Sequence, residues 1–244
     1  MAKRSIRSQP KDRAKNESPE FDASRIGELA ARLGVELGDV QAQQLASYAR
    51  LLLKWSAVHN LTAIRGVGDV ETHHVLDSLA VVPLVRRATR GSGVRVLDVG
   101  SGAGLPGIPL AVARPDAHVC LLDASQKRCA FLTQARLELQ LANVDVVHAR
   151  VEKWRASAFD VIVSRAFACL REFILLTRHL LLPGGVWIAM KGPAYQREVL
   201  ELPAGIGVRE VVRLEVPGLG ADRYAIVLHP TESAGAALPA TGKK

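Results

Sequence analysis

The spacing of apolar residues divides the chain into two regimes. From Ser24 it is helical: Ile26, Leu29, Ala30 and Leu33 share one face, and Gly34 is suited to end that helix. Asp39 can cap a second helix carrying Val40, Leu45, Tyr48, Leu52 and Trp55. A third helix is predicted from Asp69 through about Val85, holding Val70, His73, His74, Leu76, Asp77 and Leu79. Between the second and third, Trp55–Arg65 has the character of neither helix nor strand. Residues 25–90 are therefore expected to form a small helical cap.

From Val94 onward short apolar runs alternate with amphipathic stretches. Strands are predicted at Val94–Val99, His118–Asp123, Val144–His148, Phe159–Ser164 and Val186–Lys191. Helices are predicted over 105–114, 126–141 and 170–182, the last followed by a Pro183-Gly184-Gly185 turn. Such alternation implies an α/β domain, here 91–230, with a mostly parallel sheet and helices on both faces. Val208–Val216 and Arg223–His229 have no helix between them and read as a C-terminal antiparallel hairpin. Residues 1–24, rich in Lys and Arg near the start, are expected to be a disordered basic tail, and 231–244 a flexible one.

The chemistry concentrates where the first strand ends. Residues 98–107 read Asp-Val-Gly-Ser-Gly-Ala-Gly-Leu-Pro-Gly, a strand, a glycine turn and a helix start in succession. Glycine lacks the Cβ that would hold a backbone away from a nucleotide-like ligand. Counted from Gly102, the string matches the dinucleotide fingerprint, with Asp123 at a suitable distance, so an NAD-binding oxidoreductase is one reading. Counted from the strand's end, however, the first glycine is Gly100 and the pattern is G-x-G-x-G. Asp98 at that end would repel a pyrophosphate and attract a cationic ammonium group. Asp98–Gly104 resembles the first motif of class I S-adenosylmethionine (SAM) methyltransferases, which implies a Rossmann-like fold.

Composition narrows the partners. The chain has 244 residues and a net charge of +8, enough length for one sizeable core and a balance that suits a polyanion. Three cysteines, Cys120, Cys129 and Cys169, form no C-x-x-C pair, so no zinc or dithiol site is signalled and no metal is expected. Sparse cysteines, no apolar run of membrane-spanning length and no apolar stretch in the first 24 residues favour a cytoplasmic location.

Further motifs sharpen the reading. They are Lys54-Trp55 with Asn60-Leu61-Thr62, His74-x-x-Asp77-Ser78, the glycine motif through Pro109, and Leu122-Asp123. Arg150-Val151-Glu152, Ser164-Arg165-Ala166-Phe167 and Lys191-Gly192 continue the series. Together they resemble the RsmG (GidB) family, bacterial enzymes that methylate N7 of a guanine in small-subunit (16S) ribosomal RNA with SAM. The resemblance covers roughly 26–229. It implies that Gly100, Leu105, Val151, Glu152 and Arg165 contact SAM. From their places in the motif and after the second strand, Asp98, Ser101, Gly102, Gly104 and Asp123 are expected at the cofactor too.

Guanine N7 carries a lone pair and no proton, so no general base is expected, and Arg165 is read as a positioning residue that orients a carboxylate or phosphate. His74 and Asp77, one helical turn apart, are expected to hydrogen-bond each other and fix the cap. Arg65, Lys191 and Arg223 are the candidate RNA contacts on the rim, with Lys127 and Arg128 behind the cofactor loop. The expected partner is 16S ribosomal RNA or the small subunit, with no membrane.

Overall fold

The computed structural model describes residues 20–64, 66–89, 91 and 93–231. The basic tail before residue 20, the tail after 231 and Arg65 lie outside these residues.

Seven strands form one sheet: β1 Arg95–Val99, β2 His118–Asp123, β3 Val144–His148, β4 Phe159–Arg165, β5 Leu181–Lys191, β6 Ile206–Arg213 and β7 Tyr224–Pro230. Their spatial order is β3-β2-β1-β4-β5-β7-β6. β1 to β5 pair in parallel, and β7 runs antiparallel between β5 and β6. The helices of this half are α6 Gly107–Ala113, α7 Gln126–Glu138 and α8 Leu170–Thr177, preceded by α1 Ala23–Ala31, α2 Asp39–His59, α3 Val67–Val70, α4 Asp77–Leu79 and α5 Val82–Ala88. A short α9, Tyr195–Val199, follows β5.

The period-two alternation of β1 decides what covers each face. Val96 joins a core shared with Phe131 and Leu132 of α7 and with Ile26, Leu45, Leu52, Leu76 and Leu79 of the N-terminal helices. Leu97 and Val99 point into the opposite core, with Leu170 and Phe173 of α8 and Trp187 of β5. The N-terminal helices are thus continuous with one face of the sheet. Gln41 and Gln44 of α2 strengthen that union by donating to the carbonyls of Val112 (2.7 Å) and Leu139 (2.8 Å).

Several elements differ from the sequence expectation, each for a local reason. α2 continues through Trp55 to His59, because Asn60 caps it in the left-handed region (φ 51°) and Trp55 packs edge-on against Phe131. The third helix runs without a break only from Val67 to Leu79, with a π-helical stretch inside it. That stretch, Glu71–Leu76, joins α3 to α4, and Pro83 in the first turn of α5 forces a fresh start. α8 stops at Thr177 and is followed by a single 3₁₀ turn, Arg178–Leu180.

Pro183-Gly184-Gly185 is an irregularity inside β5, where the pairing slips between Phe159 and Val161. A Cβ on Gly185 would stand 2.8 Å from the Asp160 carbonyl, so glycine allows that approach. The hairpin forms as expected, but over 206–213 and 224–230, with a bulge between Val208 and Glu210. α9 buries none of its residues and so left no apolar signature.

Candidate active site

Between β1 and β4 the strand order reverses direction, and the chains leaving their carboxyl ends diverge there. A cleft of about 420 Å³ opens at this point. Gly100, Asp123, Val151 and Glu152 line it, as do Ala166–Ala168 from the loop after β4. Elements far apart in sequence therefore converge at the carboxyl ends of the parallel strands.

The glycine loop is held by its neighbours. The N–H groups of Gly100 and Ser101 donate to the Leu122 carbonyl, at 2.9 and 3.1 Å. Gly102 N–H donates to Asp123 Oδ2 at 2.9 Å, and Ser125 N–H to Asp123 Oδ1 at 2.8 Å. Asp123, a nearly fully buried residue of the cleft lining, thus ties the loop to the end of β2. Gly100 has φ +68°, and a Cβ there would stand 2.5 Å from the Phe167 ring. Glycine is therefore what admits the Phe167 ring at this position. Phe167 in turn meets Phe173 edge-on, the centroids 6.3 Å apart.

The other motif residues do not line the cleft. Gly104 packs against Ile108 and Leu132, Leu105 is buried in the core, and the Ser101 hydroxyl donates to the Asp98 carbonyl. Asp98, expected at the cofactor, is not among the residues that line the cleft. Asp98 is fully buried, and its Oδ2 accepts the Gly107 N–H at 3.0 Å at the start of α6. Its Oδ1 has no hydrogen-bond partner among the described residues. Burial pushes this carboxyl up to about 7. In the free protein Asp98 is a structural link between β1 and α6.

Arg165, the last residue of β4, is gripped by the N-terminal helices. Its Nη1 donates to Asp77 Oδ2 (2.9 Å) and to the His73 carbonyl (2.7 Å), and its Nη2 lies 3.3 Å from His74 Nδ1. The expected His74–Asp77 hydrogen bond is absent among the described contacts. Both residues turn to Arg165, and His74 Nε2 meets the Thr62 hydroxyl at 2.8 Å. Burial, then the neighbouring guanidinium, lowers His74 to about 4, so the ring is neutral, with Nδ1 set 3.0 Å from the His73 carbonyl as well as beside Arg165.

Two expected RNA contacts each face an acidic side chain. Lys191 Nζ is paired with Glu198 Oε2 at 2.8 Å and donates to the Ala168 carbonyl, so it braces the cleft loop. Arg223 Nε lies 3.3 Å from Asp77 Oδ1, close enough for charge attraction but without hydrogen-bond alignment. Arg128 borders the cleft, 3.5 Å from Asp123.

Sequence reasoning missed Tyr48, whose buried hydroxyl donates to the Ala103 carbonyl at 2.6 Å and supports the glycine loop from α2. A lone tyrosine on an apolar helix face carries no spacing signal for such a role. It also missed Glu172 and Leu176 of α8, which join the cleft wall. Their position just past the β4 loop was the available clue.

Comparison with known proteins agrees with this architecture. A family model described as GidB, rRNA small subunit methyltransferase G, matches residues 41–227. A protein of Laribacter hongkongensis called ribosomal RNA small subunit methyltransferase G is 50% identical over 199 residues, spanning 81% of this chain and 93% of that one. Its namesake in Ralstonia nicotianae is 52% identical over 207 residues, 83% of this chain and 92% of that one. The glycopeptide N-methyltransferase MtfA, solved with SAM, superposes with a TM-score of 0.51 at 13% identity. That match covers 64% of this chain and 93% of MtfA, and attests the fold alone. With the family's model spanning most of the sequence and half the residues shared with its members, this chain belongs to the GidB family of small-subunit rRNA methyltransferases.

Proposed function

We propose that the chain transfers the methyl group of SAM to N7 of a guanine in 16S ribosomal RNA. The observation that carries this reading is the convergence of Gly100, Asp123, Val151 and Glu152 on one cleft, with Arg165 just behind its β4 wall. The cleft fits an adenosine-type cofactor. Gly100 and Phe167 together form one wall of the cleft, and Asp123 and Glu152 supply acceptors for sugar hydroxyls or an ammonium group. When bound, SAM supplies a sulfonium-activated methyl group.

The chain's own task is alignment. Methyl transfer in line with the departing sulfur gains chiefly from holding the acceptor atom at the correct distance and angle. N7 has no proton to remove, which suits a cleft with no histidine among its described lining residues. Arg165 retains N–H donors beyond those given to Asp77 and His73, and these orient the cofactor carboxylate. The ring of Phe167, lying on Gly100, gives the cleft an apolar wall on that side.

Mass spectrometry of 16S RNA from a strain lacking this gene tests the reading. One guanine methyl group should vanish and return on complementation, and an unchanged methylation pattern would refute the proposal. Titration calorimetry with SAM and with NAD supplies a second check, since preferential binding of NAD would contradict the cofactor assignment.

A further inference from the structure

Asp77 is a fully buried carboxylate shared by two arginines from different parts of the fold. Its Oδ2 holds Arg165 at the end of β4, and its Oδ1 faces Arg223 just before β7. The strand register puts both at one edge of the sheet: Arg165 pairs with Met190 of β5, and Tyr224, next to Arg223, pairs with Lys191. β4 and β7 flank β5, so their backbones stand about 10 Å apart at that edge. Asp77, delivered from the N-terminal helices, bridges that gap.

One carboxylate facing two guanidiniums leaves one positive charge in excess. It resides where the chain is open, because Arg223 is 31% exposed while Arg165 is 19% and Asp77 0% exposed. The Nε of Arg223 faces Asp77, and among the described residues no acceptor is in hydrogen-bond geometry to its terminal nitrogens. A guanidinium held by one edge, with its fork free, is suited to a phosphate.

We propose that Asp77 is a positioning residue that holds Arg165 and Arg223 as a pair, with Arg223 presenting its free fork to a phosphodiester of the substrate RNA. The shared carboxylate thereby fixes the RNA backbone relative to the arginine that orients the cofactor. This inference rests on the rRNA methyltransferase reading above.

The test is steady-state methylation of small ribosomal subunits across a salt series, with SAM affinity measured in parallel by calorimetry. Arg223→Ala should raise the KM for subunits about tenfold and flatten the logarithmic salt dependence by about one. SAM affinity should stay within about twofold of wild type, since Arg223 does not line the cleft. Arg223→Lys should restore the salt slope, because it retains the charge, while recovering only part of the KM because it lacks the fork.

Asp77→Asn removes the shared charge and should weaken both subunit KM and SAM affinity. If it does not fold, the two Arg223 variants still decide the matter. An unchanged subunit KM and salt slope in Arg223→Ala, with wild-type turnover intact, would overturn this inference alone. Absence of turnover by the wild type on subunits would overturn the functional reading with it.

Discussion

Asp98 makes the stability of the free protein depend on pH in a calculable way. The carboxyl is fully buried, one oxygen accepts the Gly107 N–H, and the other is unpartnered among the described residues. Folding lifts it from the ordinary carboxylate range to about 7. Between about pH 4 and pH 7 the folded chain therefore binds more protons at this site than the unfolded chain, and stability falls as pH rises. The full gap corresponds to roughly 4 kcal/mol, and the part lost between pH 5 and pH 8.5 to about 3 kcal/mol. Asp98→Asn keeps an acceptor for Gly107 and cannot ionise. Urea unfolding of both proteins at pH 5 and pH 8.5, without cofactor, isolates the effect, because all other titrations cancel in the difference. The variant should lose about 3 kcal/mol less than the wild type across that interval. Equal losses in the two proteins would refute the reasoning.

Other substitutions probe the supports of the cleft. Tyr48→Phe orphans the buried Ala103 carbonyl and should lower unfolding free energy by about 1–3 kcal/mol, with weaker SAM binding by calorimetry. Unaltered urea stability would contradict it. Gly107→Ala would drive a methyl group into Leu121 and to 2.6 Å from Asp98 Oδ2, so a thermal melt should show Tm lower by about 3–10 °C. Arg165→Ala should raise the KM for cofactor or RNA at least as much as it lowers kcat. A loss confined to kcat would mean that the arginine acts on the transition state and not on position.

Much of the fold was legible in the sequence because its signals are local. The strand runs Val96–Val99 and Val119–Leu122 and the glycine turn between them follow from period and backbone sterics. Boundaries slipped where one residue outweighs the pattern: Asn60 extended α2, Pro83 divided the third helix, and Gly184 absorbed a slip in β5 that reads as a turn.

Gly100, Asp123, Val151 and Glu152 come to line one cleft for a topological reason, since residues at strand carboxyl ends on either side of a reversal must meet. Contacts across long sequence separations were not legible. Asp77 reaches Arg165, 88 residues on, and Tyr48 reaches Ala103, 55 residues on. Asp98 sat on the expected strand, yet which way its carboxylate turned depended on how closely α6 approached. Periodicity fixes which face of an element is buried. Which buried polar groups become partners is settled only when the helices dock, because each must find its counterpart among whatever the packing brings within about 3 Å.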